Sequence, residues 1–370
     1  MSASGFSRAA IAVIGAGIAG MSAAWRLVQR GFRVTVFDRS SVGGEASWAG
    51  AGMLAPGGEI EAASSFADLC IESRRLYPPF VRELERDSSV AIDYQECGGL
   101  DLAYSLQAAS ALDARANRQA ALGVLSKAVS PARVAAFWPR LDTAGLVSAR
   151  FYPGDAIVNP RDVMAALTSA CRGLGVAVFE NSAVRRVEIS PAEAIVESDA
   201  SAASFDLAIL AAGAWSSSIA VHGVPPLPAA EPVKGHLIAY CQPRQTCATI
   251  VRHGHIYLLQ RASGLLIAGA SVEHAGFDRA LSPEIVAWLA KEAGFLFPHL
   301  RETTPSEAWT GFRPASDDLH IGPWHSNRLY LAYGHYRNGI LLAPATAGRL
   351  ASHISANWGT RSGATALPPQ

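Results

Sequence analysis

Cysteine is scarce in this chain and follows no pairing pattern. Cys70, Cys97, Cys171, Cys241 and Cys247 are odd in number and scattered, which excludes an even disulfide framework and the CxxC spacing of a zinc site. They read as reduced thiols in a cytoplasm. An excess of charge of one sign is also lacking. The 31 basic and 31 acidic residues cancel, leaving no sequence-wide attraction to nucleic acid or to an anionic membrane surface. Long hydrophobic runs are missing too. The N-terminal one, Ala9 to Met21, is broken by Gly15, Gly17 and Gly20, so a strand, turn and helix explain it better than a signal sequence does. No other stretch approaches the roughly eighteen uninterrupted apolar residues of a membrane span. The histidines and acids show no ligand spacing such as HExxH, so metal catalysis is not expected. What the chain does have is apolar bulk, 50% of 370 residues, ample for a sizeable core. The expected partners are small molecules.

Periodicity divides the chain. Ala10 to Ile14 is a short apolar run, Ile18 to Gln29 has helical spacing with Met21, Trp25 and Val28 on one side, and Arg33 to Phe37 alternates and is β-branched, together one βαβ unit. From Glu59 to about Ser148 the text turns to charged, alanine-rich helices, with Tyr77, Phe80, Val81 and Leu84 on one stripe, and reads as an insertion. A helix at Val163 to Leu174 and strands at Val176 to Phe179, Val184 to Ile189 and Leu207 to Ala212 resume the first pattern. A second departure spans Pro225 to Gly311, where His236 to Tyr240, His255 to Leu259 and Leu265 to Ala268 alternate as in a mainly antiparallel sheet that could roof a pocket. A strand at Leu329 to Ala332 and a helix at Gly339 to Trp358 close the series. The fold class is α/β: a Rossmann-type nucleotide-binding domain from residues 1–85, 149–224 and 312–358, and a discontinuous, mainly antiparallel β-sheet substrate domain from 86–148 and 225–311. Residues 359–370 are expected to form a disordered tail.

Gly15-Ala16-Gly17-Ile18-Ala19-Gly20 fits GxGxxG directly after a strand and at the start of a helix. Gly15 permits the tight turn, Gly17 lets the backbone approach a pyrophosphate, and Gly20 lets helix and sheet pack closely. The helix N-terminus faces the phosphates with partial positive charge. Asp38, at the end of the second strand, is placed for an adenosine ribose, while Gly213 ends the buried strand at Leu207 to Ala212. The motif alone leaves NAD and FAD open, and a bare tight turn is the alternative. Its extreme N-terminal position, and the small residues that follow at once in Gly43-Gly44-Glu45-Ala46-Ser47-Trp48-Ala49-Gly50-Ala51-Gly52-Met53, favour FAD lying along the backbone.

Three passages resemble the glycine oxidase family, the thiamine-pathway branch of the D-amino-acid oxidase and sarcosine oxidase group. They are Ala46 to Pro56, spelled ASWAGAGMLAP; Gly311-Phe312-Arg313-Pro314-Ala315; and Gly334 to Thr346, spelled GHYRNGILLAPAT. Similarity in outline runs from about residue 10 to about residue 355. The resemblance implies non-covalent FAD contacted by Ile18, Ala19, Asp38, Arg39, Ala46, Ser47, Ala51, Gly52 and Met53, with Val184 near the adenine. It also implies that His335, Tyr336, Arg337, Asn338, Gly339, Ile340 and Leu341 run beside the flavin, where a helix starting near Gly339 would aim its positive end at the ring.

For the substrate the resemblance implies a carboxylate clamp of Arg313, with Tyr257 sharing the carboxylate and Arg337 as a third candidate; a guanidinium is the natural bidentate partner of a carboxylate. It implies hydride transfer from the α carbon of glycine to flavin N5, an imine hydrolysed to glyoxylate and ammonia, and return of electrons to molecular oxygen as hydrogen peroxide. Departures from the family's pattern at His236, Gln260 and Ser316 to His320 put strict glycine specificity in doubt. His236, His255 and His320 could recognise a second carboxylate, so sarcosine or iminodiacetate stays open, although a lone histidine is more often a packing residue. A dehydrogenase with a non-oxygen acceptor and a non-catalytic flavoprotein are the competing classes, and Arg313 with Tyr257 weighs against the second. A homo-oligomer stays open.

Overall fold

The computed structural model describes residues 9–244 and 247–358; the tail expected at 359–370 lies outside them. The first apolar run, Ala10–Ile14, forms the middle of a six-stranded sheet. It pairs in parallel with Arg33–Phe37 on one side and Leu207–Leu210 on the other. Ala177–Phe179 and Leu329–Tyr333 extend the sheet in parallel, and His320–Pro323 adds an antiparallel edge. Side chains alternate across a strand, and both faces of these strands are buried. Ile11 and Val13 pack with the helices Ile18–Gln29, Ser65–Ser88, Pro160–Gly173 and Gly339–Trp358, whereas Ala12 and Ile14 face a second core with Val187 and Val196. That second core is covered by a four-stranded sheet of Val184–Ile189, Ala194–Ser198, Ala202–Phe205 and Ala220–His222. The result is three layers, helices on one side of the parallel sheet and a small sheet on the other.

The helix Ser65–Ser88 buries Tyr77, Phe80, Val81 and Leu84, the stripe expected of it. The rest of that insertion is not helical throughout. Gly99–Ala103 and Lys127–Val129 are strands flanking the helix Leu106–Ala120. All five residues of Gly99–Ala103 are buried, so the strand lacks the alternation that marks a half-exposed one.

These strands join an eight-stranded sheet in the order Glu307–Ala315, Glu231–Cys241, Leu265–Gly269, Ile256–Gln260, Ile250–His253, Gly99–Ala103, Ser148–Tyr152, Lys127–Val129. All its pairings are antiparallel except Ile250–His253 with Gly99–Ala103. Residues 149–152 and 312–315, expected in the nucleotide-binding part, are paired within this sheet because each completes a strand begun on the other side of the expected boundary. The helix Pro283–Leu296, in a region read as sheet, covers the face of Ile238 and Tyr240. The opposite face, with Leu237 and Ala239, packs on Ala49, Ala51 and Ala55. The large sheet therefore lies over the glycine-rich segment that follows the first βαβ unit.

Candidate active site

Four neighbouring parallel strands end on one side of the six-stranded sheet, and each runs into a segment lining the same cavity: Ile14 into Gly15, Phe37 into Asp38, Leu210 into Ala211 to Gly213, and Tyr333 into His335. Ligands of open α/β sheets bind at such carboxyl ends. The cavity has a volume of about 1400 Å³ and is roofed by Tyr257, Ala270, Gly311 and Arg313 of the large sheet and its loops, which exceeds the roughly 300–1,000 Å³ usual for a single compact ligand.

The turn behind Gly15 leaves no choice of residue. Gly15 has φ +106°, and a Cβ there would stand 2.4 Å from the Ala211 carbonyl oxygen. Gly20 sits where a Cβ would meet the Gly15 carbonyl oxygen at 2.0 Å, so its role is close packing of helix on turn, and it does not line the cavity. The Asp38 carboxylate ties the turn to the second strand, accepting from the backbone N–H of Ala16 at 2.7 Å and of Ser40 at 2.8 Å. Burial raises its pKa, against those backbone bonds and Arg39. The Ser47 hydroxyl accepts from the Ile18 N–H at 2.9 Å, joining the glycine-rich segment to the helix start. Gly52, at φ +87°, lies where a Cβ would meet the Val158 carbonyl oxygen at 2.0 Å. Buried Arg261, its pKa lowered by desolvation to about 10, donates to the carbonyls of Ala51 and Val158.

Of the residues expected to hold a cofactor, Gly15, Gly17, Ile18, Ala19, Asp38, Arg39, Ala46, Ser47, Ala51, Gly52, Met53, Val184, Gly213, His335, Tyr336, Arg337, Asn338, Gly339 and Ile340 line the cavity. Leu341 instead points into the core beneath the last helix. His335 is buried, bonded through Nε2 to the Thr346 hydroxyl at 3.0 Å, and desolvation lowers its pKa to about 4, so it is neutral.

Tyr257, Arg313 and Arg337 share this cavity. Arg313 rises from the strand Glu307–Ala315, and its Nη1 donates to the carbonyls of Ser271 at 3.0 Å and Lys234 at 3.3 Å. Burial lowers its pKa while the phenols of Tyr257 and Tyr336 hold it up. Burial pushes the Tyr257 hydroxyl up, and Arg313 and Arg337 pull it back. At Arg337 burial is outweighed by Glu59 and Tyr336, and its pKa is raised.

The flagged histidines separate. His255 lines the cavity. His236 is buried outside the cavity lining, with Nε2 accepting from the Ser282 N–H at 3.0 Å and Nδ1 directed to Ser271 and Glu273; its tautomer is thereby set by packing. His320 lies on the edge strand beside Trp324 and Tyr333. Gln260 is also structural, bonded to Cys247, Pro243 and Gly264. Sequence reading missed Glu59, Glu45 and Trp215 in the lining. Glu59 follows the small-residue segment by only a few positions, the one signal that could have pointed to it.

The model of the FAD dependent oxidoreductase family, DAO, matches residues 10–353. The chain belongs to this family, in its glycine-oxidase-like branch. It is 30% identical to a glycine oxidase of Bacillus licheniformis over 93% of this chain and 92% of the relative. It is also 33% identical to a bifunctional ThiO/ThiG protein of Trichormus variabilis over 93% of this chain, but spans only 52% of that longer protein. The crystal structure of a glycine oxidase from Geobacillus kaustophilus superposes with a TM-score of 0.88 at 27% identity, covering 94% of this chain and 95% of that one. The cavity suits FAD on its own terms, because the wall at Gly15, Gly17, Gly50 and Gly52 is bare backbone along which an extended dinucleotide can lie. This chain is an FAD-dependent oxidoreductase. No helix among the described residues is long and apolar enough to cross a membrane.

Proposed function

We propose that this enzyme oxidatively deaminates glycine, yielding an imine that hydrolyses to glyoxylate and ammonia, with oxygen reduced to hydrogen peroxide. The observation that carries the reading is the presence of Arg313 and Tyr257 in the wall of the cavity that also receives the turn from His335 to Ile340. When bound, FAD supplies a two-electron acceptor for the substrate's α-carbon hydride.

The chain's own residues do the rest. Gly15, Gly17, Ile18 and Ala19 would cradle the pyrophosphate against the N-terminus of the first helix, with Asp38 and Arg39 toward the ribose and Val184 beside the adenine. Ala46, Ser47 and Ala51 to Met53 would line the extended cofactor, and the turn from His335 to Ile340 the flavin. Arg313, with Nη1 anchored on two carbonyls, presents its remaining N–H groups to the substrate carboxylate, and the Tyr257 hydroxyl adds a donor. Such positioning is the main contribution asked of the protein. The same burial that shifts Tyr257 and Arg313 disfavours charge on the substrate amine.

A second reading has one observation in its favour. The cavity of about 1400 Å³ is also lined by Leu112, Arg115, His255 and Trp288, a wall larger than glycine itself needs, which suits a substituent on the amine, as in sarcosine or iminodiacetate. Anaerobic bleaching of the yellow holoprotein tests both. Glycine or an N-substituted glycine should bleach it fastest, with peroxide on readmission of air. A clear preference for D-alanine would reject both glycine readings, and reduction without peroxide would point to another acceptor.

A further inference from the structure

Among the cavity-lining carboxylates that have no part in the scheme above, Glu59 is the one hydrogen-bonded to Asn338 of the turn from His335 to Ile340. Glu59 ends the short helical turn Pro56–Glu59, and that turn is clamped from several sides. The buried Gln119 amide donates to the carbonyls of Gly57 at 2.9 Å and Ile60 at 2.7 Å. Asp155 Oδ1 accepts from the Gly57 N–H at 3.2 Å, while its Oδ2 lies 2.7 Å from Arg252 Nη1. The Arg252 guanidinium lies beneath Gly58, where a Cβ would approach Nη1 at 3.1 Å. This scaffold holds the Glu59 side chain in the cavity wall, with Oε2 accepting from Asn338 Nδ2 at 3.2 Å.

The charges around it make the position informative. Arg337 and Arg252 attract the carboxylate, Asp155 repels it, and Tyr257, Arg313 and the Cys70 thiol all feel it. Burial raises its pKa above the ordinary range, against the pull of Arg337 and Asn338. An amino acid reaches a neutral solution as a zwitterion, whose carboxylate Arg313 and Tyr257 would take. Its ammonium must lose a proton before its carbon can be oxidised, and neither Arg313 nor Arg337 can accept one.

We propose that Glu59 receives the substrate's ammonium group and takes that proton. The inference rests on the reading of the cavity as an amino-acid site. The step is R–NH₃⁺ plus the Glu59 carboxylate giving R–NH₂ plus the Glu59 carboxylic acid. One N–H bond breaks and one O–H bond forms, without redox change, and the proton leaves to water once product has gone. The consequence is recognition of amino acids at both ends, and a carboxylic acid without an amine uses only one of them.

The test compares FAD-loaded wild type with Glu59→Gln and Glu59→Asp. With glycine, wild-type kcat/KM should be flat between the raised Glu59 pKa and the ammonium pKa, because the carboxylate captures the zwitterion. In Glu59→Gln only the rare neutral-amine form is usable. Its kcat/KM should therefore be at least tenfold lower at neutral pH and climb about tenfold per pH unit, while Glu59→Asp keeps the flat profile at reduced efficiency. Acetate, followed by its perturbation of the flavin spectrum, should bind wild type and Glu59→Gln within about twofold of each other. An unchanged glycine profile in Glu59→Gln overturns the proposal. So does a parallel loss of acetate or FAD affinity, which would make Glu59 part of the scaffold alone. A wild-type protein that oxidises no amino acid overturns the functional reading as well.

Discussion

The guanidinium of Arg313 lies across the backbone of Gly235, so close that a Cβ on that glycine would come within 2.4 Å of Nη2. The two residues sit on adjacent antiparallel strands, and the missing side chain gives the arginine its bed. Gly235→Ala should therefore lift Arg313 out of place without touching the cofactor wall. The expected outcome is a raised KM for glycine with FAD content unchanged, read by steady-state kinetics and flavin absorbance.

Removing the guanidinium itself should cost more. A charge-assisted hydrogen bond contributes about 1.5–3 kcal/mol, so Arg313→Leu should lower kcat/KM for glycine roughly 10- to 150-fold. Arg313→Lys keeps the charge but not the planar fork and should fall between. Bleaching by glycine at the wild-type rate in Arg313→Leu would refute the clamp.

Gly15→Ala should strike the cofactor instead. The +106° φ and the Ala211 carbonyl both oppose a side chain, at a cost on the order of 1–3 kcal/mol. The variant should purify with less flavin and melt earlier than wild type. Full FAD content in this variant would sink the assignment of the turn.

The apoprotein should lose stability in mild acid through His335. Its folded pKa of about 4 lies below the unfolded value, so the unfolded chain binds the extra proton between the two. Stability is full above about 6.5 and declines as pH falls toward 4, by a few kcal/mol in order of magnitude. Urea unfolding at pH 7 and pH 4.5 should show the loss, and His335→Gln should flatten it.

Tyr77 ties the long helix to the last one, its hydroxyl donating to the Ile340 carbonyl at 2.7 Å. Tyr77→Phe leaves that carbonyl unpaired and should lower stability by about 1–3 kcal/mol, seen as a reduced urea midpoint at unchanged slope.

Much of this was legible locally. The βαβ unit, the stripe of Tyr77 to Leu84 and the helix Gly339–Trp358 follow from period and glycine placement, because burial on a defined face imposes a repeat on neighbouring residues. The strand Gly99–Ala103 was missed: all five of its residues are buried, and its polar position, Asp101, is paired with Arg115 and with Arg252 of a strand far along the chain, which no local pattern records. His236 and His255 looked alike as isolated histidines within one alternating region, yet the first is locked among Ser271, Glu273 and Ser282 and the second lines the cavity.

The sequence by itself pointed to a dinucleotide turn, through glycines at GxGxxG spacing between a strand and a helix, and it marked out Arg313, Tyr257 and Arg337 through the family resemblance of their motifs. Tertiary structure alone decided that these three residues, far apart in the chain, line a single cavity, and that Glu59 stands in its wall. The reason is that strand register and the crossing of two sheets set side-chain positions across long sequence separations, and no local repeat records them.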